Sequence, residues 1–394
     1  MLKVLSILGT RPEAIKLAPV IRELNERDNV RSIVCVTAQH REMLDQILDL
    51  FAIRPDYDLD LMKPDQDLTL LTANLLEGLS PVVDEVKPDW ILAQGDTTTV
   101  LAAALIAFYR RVSFAHVEAG LRTNDLQNPF PEEMNRRMAD GVASLLFAPT
   151  EQNRQNLLSE GIPDEKILVT GNTVVDALIE ISSRSMDLIS PPLSDLPSNR
   201  RLVLVTAHRR ESFGPRLREI CLAVRELALR FEAQGIHFVY PMHLNPNVRR
   251  PVSEILSGIS NLSLIEPVDY HTMVYLMKRS LLILTDSGGI QEEAPSLRVP
   301  VLVMRQTTER PEGVEAGVVR VVGTERSAIV AEAAYLIENP QARAEMTSGQ
   351  NPYGDGKASG RIVNALLKRS SEIGERMSED PRTERRAEVT CLAL

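Results

Sequence analysis

The sequence predicts an α/β protein of two doubly wound parallel sheets, and three observations carry that prediction. Short apolar runs alternate with longer helix-period segments from one end of the chain to the other. Most of the runs are rich in Val, Ile and Leu without polar alternation, as expected of strands covered on both faces. At 394 residues the chain exceeds the size at which one core keeps growing, so two domains are expected.

Taken in order, KVLSILG places a strand at 2–8, and RSIVCVT, DWILAQ and VSFAHV place others at 31–37, 89–94 and 112–117. SLLFA and KILVT complete a first set at 144–148 and 166–170. A second set falls at 201–207, 236–241, 261–265, 280–285, 299–304 and 318–322, about six strands in each half. Helical periodicity fills 12–27, 67–86, 98–110 and 215–233 between them. The cluster SPPLSDLPSN at 190–199 interrupts the pattern and marks the expected boundary. The expected organisation is an amino-terminal Rossmann-like domain over 1–185 and a carboxy-terminal one over 200–356. A helical segment at 357–378 and a charged, frayed tail at 379–394 follow.

Composition excludes several function classes. A net charge of −10 disfavours a nucleic-acid or anionic-membrane surface. No run approaches the ~18 apolar residues that a membrane span requires. The chain enters a strand pattern at once, with no leader signature, and its three scattered cysteines suggest reduced thiols and a cytoplasmic setting.

Three strand-to-helix loops carry charge or glycine: GTRPEAIK at 9–16, HRRES at 208–212 and SGGIQEE at 287–293. Such ends present unpaired N–H groups that suit a phosphate. A diphosphate held by all three would lie in a cleft between the two domains. Gly9 can supply a tight turn, and Pro12 suits a first helical position. Arg11 and Lys16 then stand near the helix entrance, as anion-binding groups or as solvated surface charges. In QGDTTTV, Asp96 is placed as a helix cap or as a general acid or base. In HVEAGLRT, Glu118 emerges from a buried strand, where a charge is either paired, with Arg122 the obvious partner, or functional. His116 lacks the Pro-Cys-x-x-Cys partner of a zinc-deaminase motif, so no metal is expected. In NPFPEEMNRR, Glu132 opens a helix as an ordinary first-turn acid or as a third member of a carboxylate set. Clustered carboxylates push one another's pKa upward, so one can hold a proton while another abstracts one.

In the second half, His208, Arg209 and Arg210 follow a strand, with Ser212 a plausible cap. His243 occupies the analogous place after the next strand. Ser287, Gly288 and Gly289 can donate to a phosphate, Glu293 can accept from ribose hydroxyls, and Arg310 in TTERPE adds a cation. No G-x-G-x-x-G follows a strand, and no Walker loop, nucleophile elbow or metal-ligand spacing is present. Acid–base chemistry on a nucleotide-linked substrate, with no cofactor, survives this pruning.

Together GTRPEAIK, QGDTTT, VEAGLRT, PFPEEMNR, HRRESFG, HLNP, DSGGIQEE and TTERPE resemble the ordered signature blocks of the non-hydrolysing UDP-N-acetylglucosamine 2-epimerases, over about residues 1 to 370. The resemblance implies a GT-B-like fold with an interdomain active-site cleft and a final helix crossing back to the first domain. It implies interconversion of UDP-N-acetylglucosamine and UDP-N-acetylmannosamine by elimination to 2-acetamidoglucal and UDP, then re-addition. By match, Asp96, Glu118 and Glu132 are the acid–base carboxylates and His208 assists UDP departure. Arg11, Lys16, Ser287, Gly288, Gly289, Glu293 and Arg310 match UDP-contacting positions, and Arg209 and His243 join that set. A homodimer is the family expectation. Some bacterial members are activated by a second UDP-sugar near a QHR segment and a later arginine. Gln39, His40 and Arg41 are present, but Asp65 stands where that arginine is expected, so activation is not implied. Val268 and Met273 replace the Gln and Phe that other members carry near the uracil. The rival readings are a C2 epimerase of a UDP-diacetamido-uronic acid, a GT-B glycosyltransferase and a non-catalytic nucleotide-sugar sensor.

Overall fold

The computed structural model describes residues 1–37, 41–61, 66–186 and 191–379. The chain divides into two compact units: Met1–Thr173 together with Lys357–Leu394, and Val174–Gly356. The division falls at the start of the helix Thr173–Ser183, ahead of the Pro/Ser cluster, whose residues 191–199 lie within the second unit. That helix is tied into the second unit by Lys278, whose Nζ donates to the Ser182 carbonyl at 2.9 Å. A lapse in composition therefore did not coincide with the change of core.

The first unit is a parallel sheet of β1 (Leu2–Leu8), β2 (Val30–Val36), β3 (Tyr57–Asp58), β4 (Trp90–Gln94), β5 (Ser113–Val117), β6 (Leu145–Ala148) and β7 (Ile167–Val169). Its order is β3-β2-β1-β4-β5-β6-β7, seven strands rather than about six. The extra strand is the two-residue edge β3, too short and too polar to register as an apolar run. Leu5, Ile7, Ile91, Phe114 and Leu146 fill the core with Leu75 and Leu79 of the helix Leu68–Val86. Each such side chain, fully buried, stabilises the fold by about 1.5–3 kcal/mol. The closing helix Ala358–Glu379 belongs to this unit: Trp90 Nε1 donates to Ser370 Oγ at 2.8 Å, and Arg361 donates to the Thr170 carbonyl at 2.9 Å. Residues 380–394, the expected tail, lie outside the described residues.

The second unit is a parallel sheet of β8 (Arg201–Thr206), β9 (Ile236–Pro241), β10 (Leu262–Ile265), β11 (Ser280–Thr285), β12 (Val301–Val303) and β13 (Val319–Val321). Its order is β10-β9-β8-β11-β12-β13, around a core that includes Val203, Val205, Phe238, Leu282 and Leu284. Sequence order reverses between β1 and β4 in the first sheet and between β8 and β11 in the second. Ligands of open α/β sheets bind at such switch points, beyond the carboxyl ends of the strands. The loops after those four strands lead into GTRPE, GDTT, HRRES and DSGG.

Each unit carries a buried free cysteine, Cys35 on β2 and Cys221 in the helix Pro215–Phe231. Burial pushes both thiols up to about 12, Asp58 adding to the effect at Cys35 and Arg218 opposing it at Cys221. Among the described residues, no helix is long and apolar enough to cross a membrane.

Candidate active site

In the first unit the GTRPE loop is fixed from within. Glu13 is buried in the first turn of the helix Arg11–Asn25, and its Oε2 accepts from Gly9 N at 2.5 Å and Thr10 N at 3.1 Å. Burial raises its carboxyl to about 6, against hydrogen bonds from Thr97 and from the Gly9 and Thr10 backbone. A Cβ on Gly9 would stand 2.4 Å from Thr37 Oγ1 and 2.6 Å from Thr99 Oγ1, so only glycine fits there. Arg11 is half-buried at the helix entrance.

Lys16 does not stand as a bare cation. Its Nζ lies 2.5 Å from Glu118 Oε2, with each side chain 11% exposed. Gln94, the last residue of β4, donates to the same Glu118 oxygen at 2.9 Å. Glu118 follows β5 with φ +68°, a conformation that costs a non-glycine residue on the order of 1–3 kcal/mol. Its backbone is held by Phe147, whose carbonyl accepts from Glu118 N at 3.0 Å and Ala119 N at 3.1 Å. The alternative that pairs Glu118 with Arg122 is not what forms: Arg122 donates to Asp140 at 2.7 Å and to Glu160 at 2.8 and 2.7 Å. The turn at Glu118 carries its side chain to Lys16, a residue 102 positions away.

Asp96 is likewise not a helix cap. Thr97 caps the helix Thr98–Arg110 by accepting from Val100 N at 3.4 Å. Asp96 instead receives Arg136 Nη2 at 2.6 Å, and Asn135 donates to its carbonyl at 2.9 Å. Arg136 is buried in the helix Glu132–Val142, one turn beyond Glu132. The buried Glu132 Oε2 has no hydrogen-bond partner among the described residues. The neighbouring Glu133 is structural, accepting from Thr123 N, Asn124 N and Arg137 at 3.0–3.2 Å.

In the second unit Asp286 organises the loop after β8. It is fully buried, and its Oδ2 accepts from His208 N and Arg209 N, both at 2.8 Å. Its Oδ1 has no hydrogen-bond partner among the described residues and faces His208 Nδ1 at 3.8 Å. The His208 ring stacks on His243, centroids 5.3 Å apart and planes at 16°. Burial lowers the His208 pKa, His243 and Arg209 lower it further, and Asp286 opposes them. Ser212 is not the cap of the following helix; it is buried in a short 3₁₀ turn, and Gly214 holds the cap position of Pro215–Phe231.

Ser287, Gly288 and Gly289 open the short helix Gly288–Glu293. A Cβ on Gly288 would lie 3.3 Å from Arg310 Cζ and 3.4 Å from Arg209 Nη2, so both guanidinium groups converge over this glycine. Arg310 is anchored through Glu292 at 2.8 Å and Glu309 at 2.9 Å. Burial pushes Glu309 up, yet Arg310, Arg305 and Arg209 outweigh it and hold the carboxyl below its usual range. Glu293 accepts from the Tyr270 hydroxyl at 2.6 Å, with both side chains buried. Val268 and Met273 are half-buried nearby in sequence, flanking the start of the helix Tyr270–Arg279.

Sequence reasoning missed Gln94, Arg136 and Asp286 as members of these clusters. Gln94 and Asp286 had a readable signal, a polar residue at the end of a largely apolar run. Arg136 had none, because an arginine on a helix carries no mark of where it points. Gln39, His40 and Asp65 lie outside the described residues, so the expectation about activation has no structural counterpart here.

A family model described as UDP-N-acetylglucosamine 2-epimerase matches residues 22–367. The UDP-N-acetylglucosamine 2-epimerase of Salmonella typhimurium is 54% identical over 371 residues, 93% of this chain and 98% of that protein. A crystal structure of the Neisseria meningitidis enzyme bound to UDP-GlcNAc superposes with a TM-score of 0.85 at 50% identity, covering 93% of this chain and 100% of that one. The Methanocaldococcus jannaschii enzyme in complex with UDP-GlcNAc and UDP gives 0.77 at 35% identity, covering 93% and 100%.

Proposed function

The chain belongs to the UDP-N-acetylglucosamine 2-epimerase family, and from that premise we propose how its own residues carry out the isomerisation. The substrate in this reading is UDP-N-acetylglucosamine and the product its C2 epimer, UDP-N-acetylmannosamine. The observation that carries it is the carboxylate set of the first unit: Glu118 held on Lys16, Asp96 held on Arg136, and Glu132 with an unpartnered oxygen. A carboxylate oxygen without a partner among the described residues leaves a proton acceptor of the kind that general acid–base catalysis uses.

The C2 hydrogen of an N-acetylhexosamine is not adjacent to a carbonyl, so its direct removal is unfavourable. Departure of UDP lends C1 cationic character and acidifies that hydrogen. A carboxylate takes the C2 proton as the C1–O bond breaks, with its electron pair leaving on the β-phosphate oxygen. The C–H pair becomes the C1=C2 bond of 2-acetamidoglucal. In the second half the double bond takes a proton on its other face from a different carboxyl group, and the phosphate oxygen returns to C1. Asp96, Glu118 and Glu132 are assigned to these transfers, two of them serving opposite faces.

Retention of the nucleotide is assigned to Arg209 and Arg310 over Gly288, to Ser287 and Gly289, and to Glu293 and Arg11. Lys16 is read as the group that holds Glu118, a role compatible with a phosphate contact in the bound state. His208, with its lowered pKa, is neutral near pH 7 and gains a proton when a diphosphate binds. Asp286 Oδ1 is placed to stabilise the imidazolium, and His243 supports the ring face. The same reading includes a cytoplasmic setting, supported by two free buried thiols, and a homodimer. Phe108 and Tyr109 support self-association: they are 63% and 61% exposed and lie edge to face at 6.4 Å. Light scattering tests it.

Incubation with UDP-N-acetylglucosamine in D₂O without acceptor tests the chemistry. Deuterium at C2 of both epimers is expected. A C2 hydrogen that stays protonated would refute the reading, and sugar appearing on an added acceptor would favour a transferase.

A further inference from the structure

We propose that His116 is a positioning residue for this reaction, a buried imidazolium that ties the turn carrying Asp96 to the turn carrying Glu118. The proposal rests on the assignment of those two carboxylates above. His116 lies on β5 with no solvent exposure, its Nε2 2.7 Å from the Gly95 carbonyl and its Nδ1 2.6 Å from Asp140 Oδ1. A carbonyl oxygen only accepts, so Nε2 carries a hydrogen. Asp140 already accepts from Arg122 Nη2 at 2.7 Å and from Gly120 N at 3.3 Å on its other oxygen, which marks it as an anion. Its Oδ1 then accepts from Nδ1–H, and the ring is doubly protonated. A neutral tautomer would set a ring lone pair against one of two oxygens closer than 3 Å.

The charges balance. His116 and Arg122 are cations, and Asp140 and Glu160 are anions, while Arg137, with Nη1 3.8 Å behind Glu160, is matched by Glu133 at 3.0 Å. Phe114 stacks on the imidazole at 5.9 Å. Burial alone lowers the His116 pKa, but Asp140 and the Gly95 carbonyl outweigh it and leave the value raised.

What the network grips gives it a function. Gly95, at φ +89°, immediately precedes Asp96, and its N–H donates to the Val117 carbonyl at 3.1 Å. Asp140 and His116 together hold Gly95, Gly120 and the strand end before Glu118. Asp140 also sits on the helix that bears Glu132 and Arg136. One imidazolium–carboxylate pair therefore registers all three proposed acid–base groups. Loss of the Nδ1 or Nε2 hydrogen would unfasten one of these turns, displacing carboxylates whose placement governs kcat more than substrate affinity.

The test uses the whole enzyme with ring-¹⁵N histidine, the His116 signal being assigned by its loss in His116→Gln or its displacement in Asp140→Asn. At pH 7.5 both ring nitrogens are expected in the protonated range. kcat is expected to fall on the alkaline side with the midpoint of the ring's deprotonation, while KM moves less than about threefold. His116→Gln is expected to lose about 100-fold in kcat and that alkaline limb with it. A singly protonated ring at pH 7.5 would overturn the proposal. So would a folded Gln variant with kcat within threefold of the parent, or an alkaline limb it retains. If the Gln variant does not fold, the two wild-type midpoints decide, and their disagreement overturns it. C2 exchange in D₂O is read in the same samples: its absence from the parent enzyme sinks the epimerase reading, whereas exchange with a neutral ring sinks only this one.

Discussion

Removal of Lys16 tests whether the Glu118 contact is a structural clamp on the proposed base. At 2.5 Å and an effective dielectric of about 20, the Coulomb attraction is roughly 6–7 kcal/mol before desolvation. Breaking a buried pair by deleting one partner costs about 3–5 kcal/mol, and a tenth of each side chain still reaching solvent favours the lower end. Lys16→Met is therefore expected to destabilise by about 3 kcal/mol, which for a unit of this size is roughly 6–12 °C in Tm. Glu118→Gln keeps the shape and the Gln94 contact while removing the charge. A thermal double-mutant cycle between the two is expected to give a coupling of about 1.5–3 kcal/mol. Both single variants are expected to lower kcat at least 100-fold. Coupling below about 0.5 kcal/mol, or a Lys16→Met variant with parental Tm, would refute the clamp.

Three further outcomes are expected. Asp96→Asn should reduce C2–deuterium exchange at least 1,000-fold while UDP affinity by calorimetry changes less than about fivefold, since Arg136 retains an amide partner of the same shape. Gly288→Ala places a methyl 3.3–3.4 Å from two guanidinium groups, one of them anchored by Glu292 and Glu309, and should weaken UDP binding about 10- to 100-fold with Tm within a few degrees. NMR titration should find the His208 pKa below about 6.5 in the free enzyme and higher with UDP bound. Because the folded value is depressed, its stability contribution is present above the unfolded value near 6.5 and is lost as the pH falls through the folded one.

Most of the architecture was legible because fully buried parallel strands leave uninterrupted runs of branched apolar residues. Every expected strand is found within two residues of its place, and among the described residues only the strand Tyr57–Asp58, an edge pair with no such run, went unseen. The position of the carboxylates on loops after β4 and β5 was legible for the same reason, since a charge after an apolar strand must emerge at its end. Their partners were not. Lys16 meets Glu118 across 102 residues and Arg136 meets Asp96 across 40, and helix periodicity carries no information about such distant neighbours. Residue type alone offered a cap as one reading of Asp96 and as the reading of Ser212, although Thr97 and Gly214 hold the cap positions.

The two deeply enclosed thiols have a practical corollary. With Cys391 replaced by serine, the polypeptide retains one thiol in each unit, Cys35 in one and Cys221 in the other, both slow to react while folded. Alkylation followed by peptide mass spectrometry then becomes a pair of independent clocks. Comparing their rates with and without nucleotide would reveal whether both lobes open in one cooperative event or in turn.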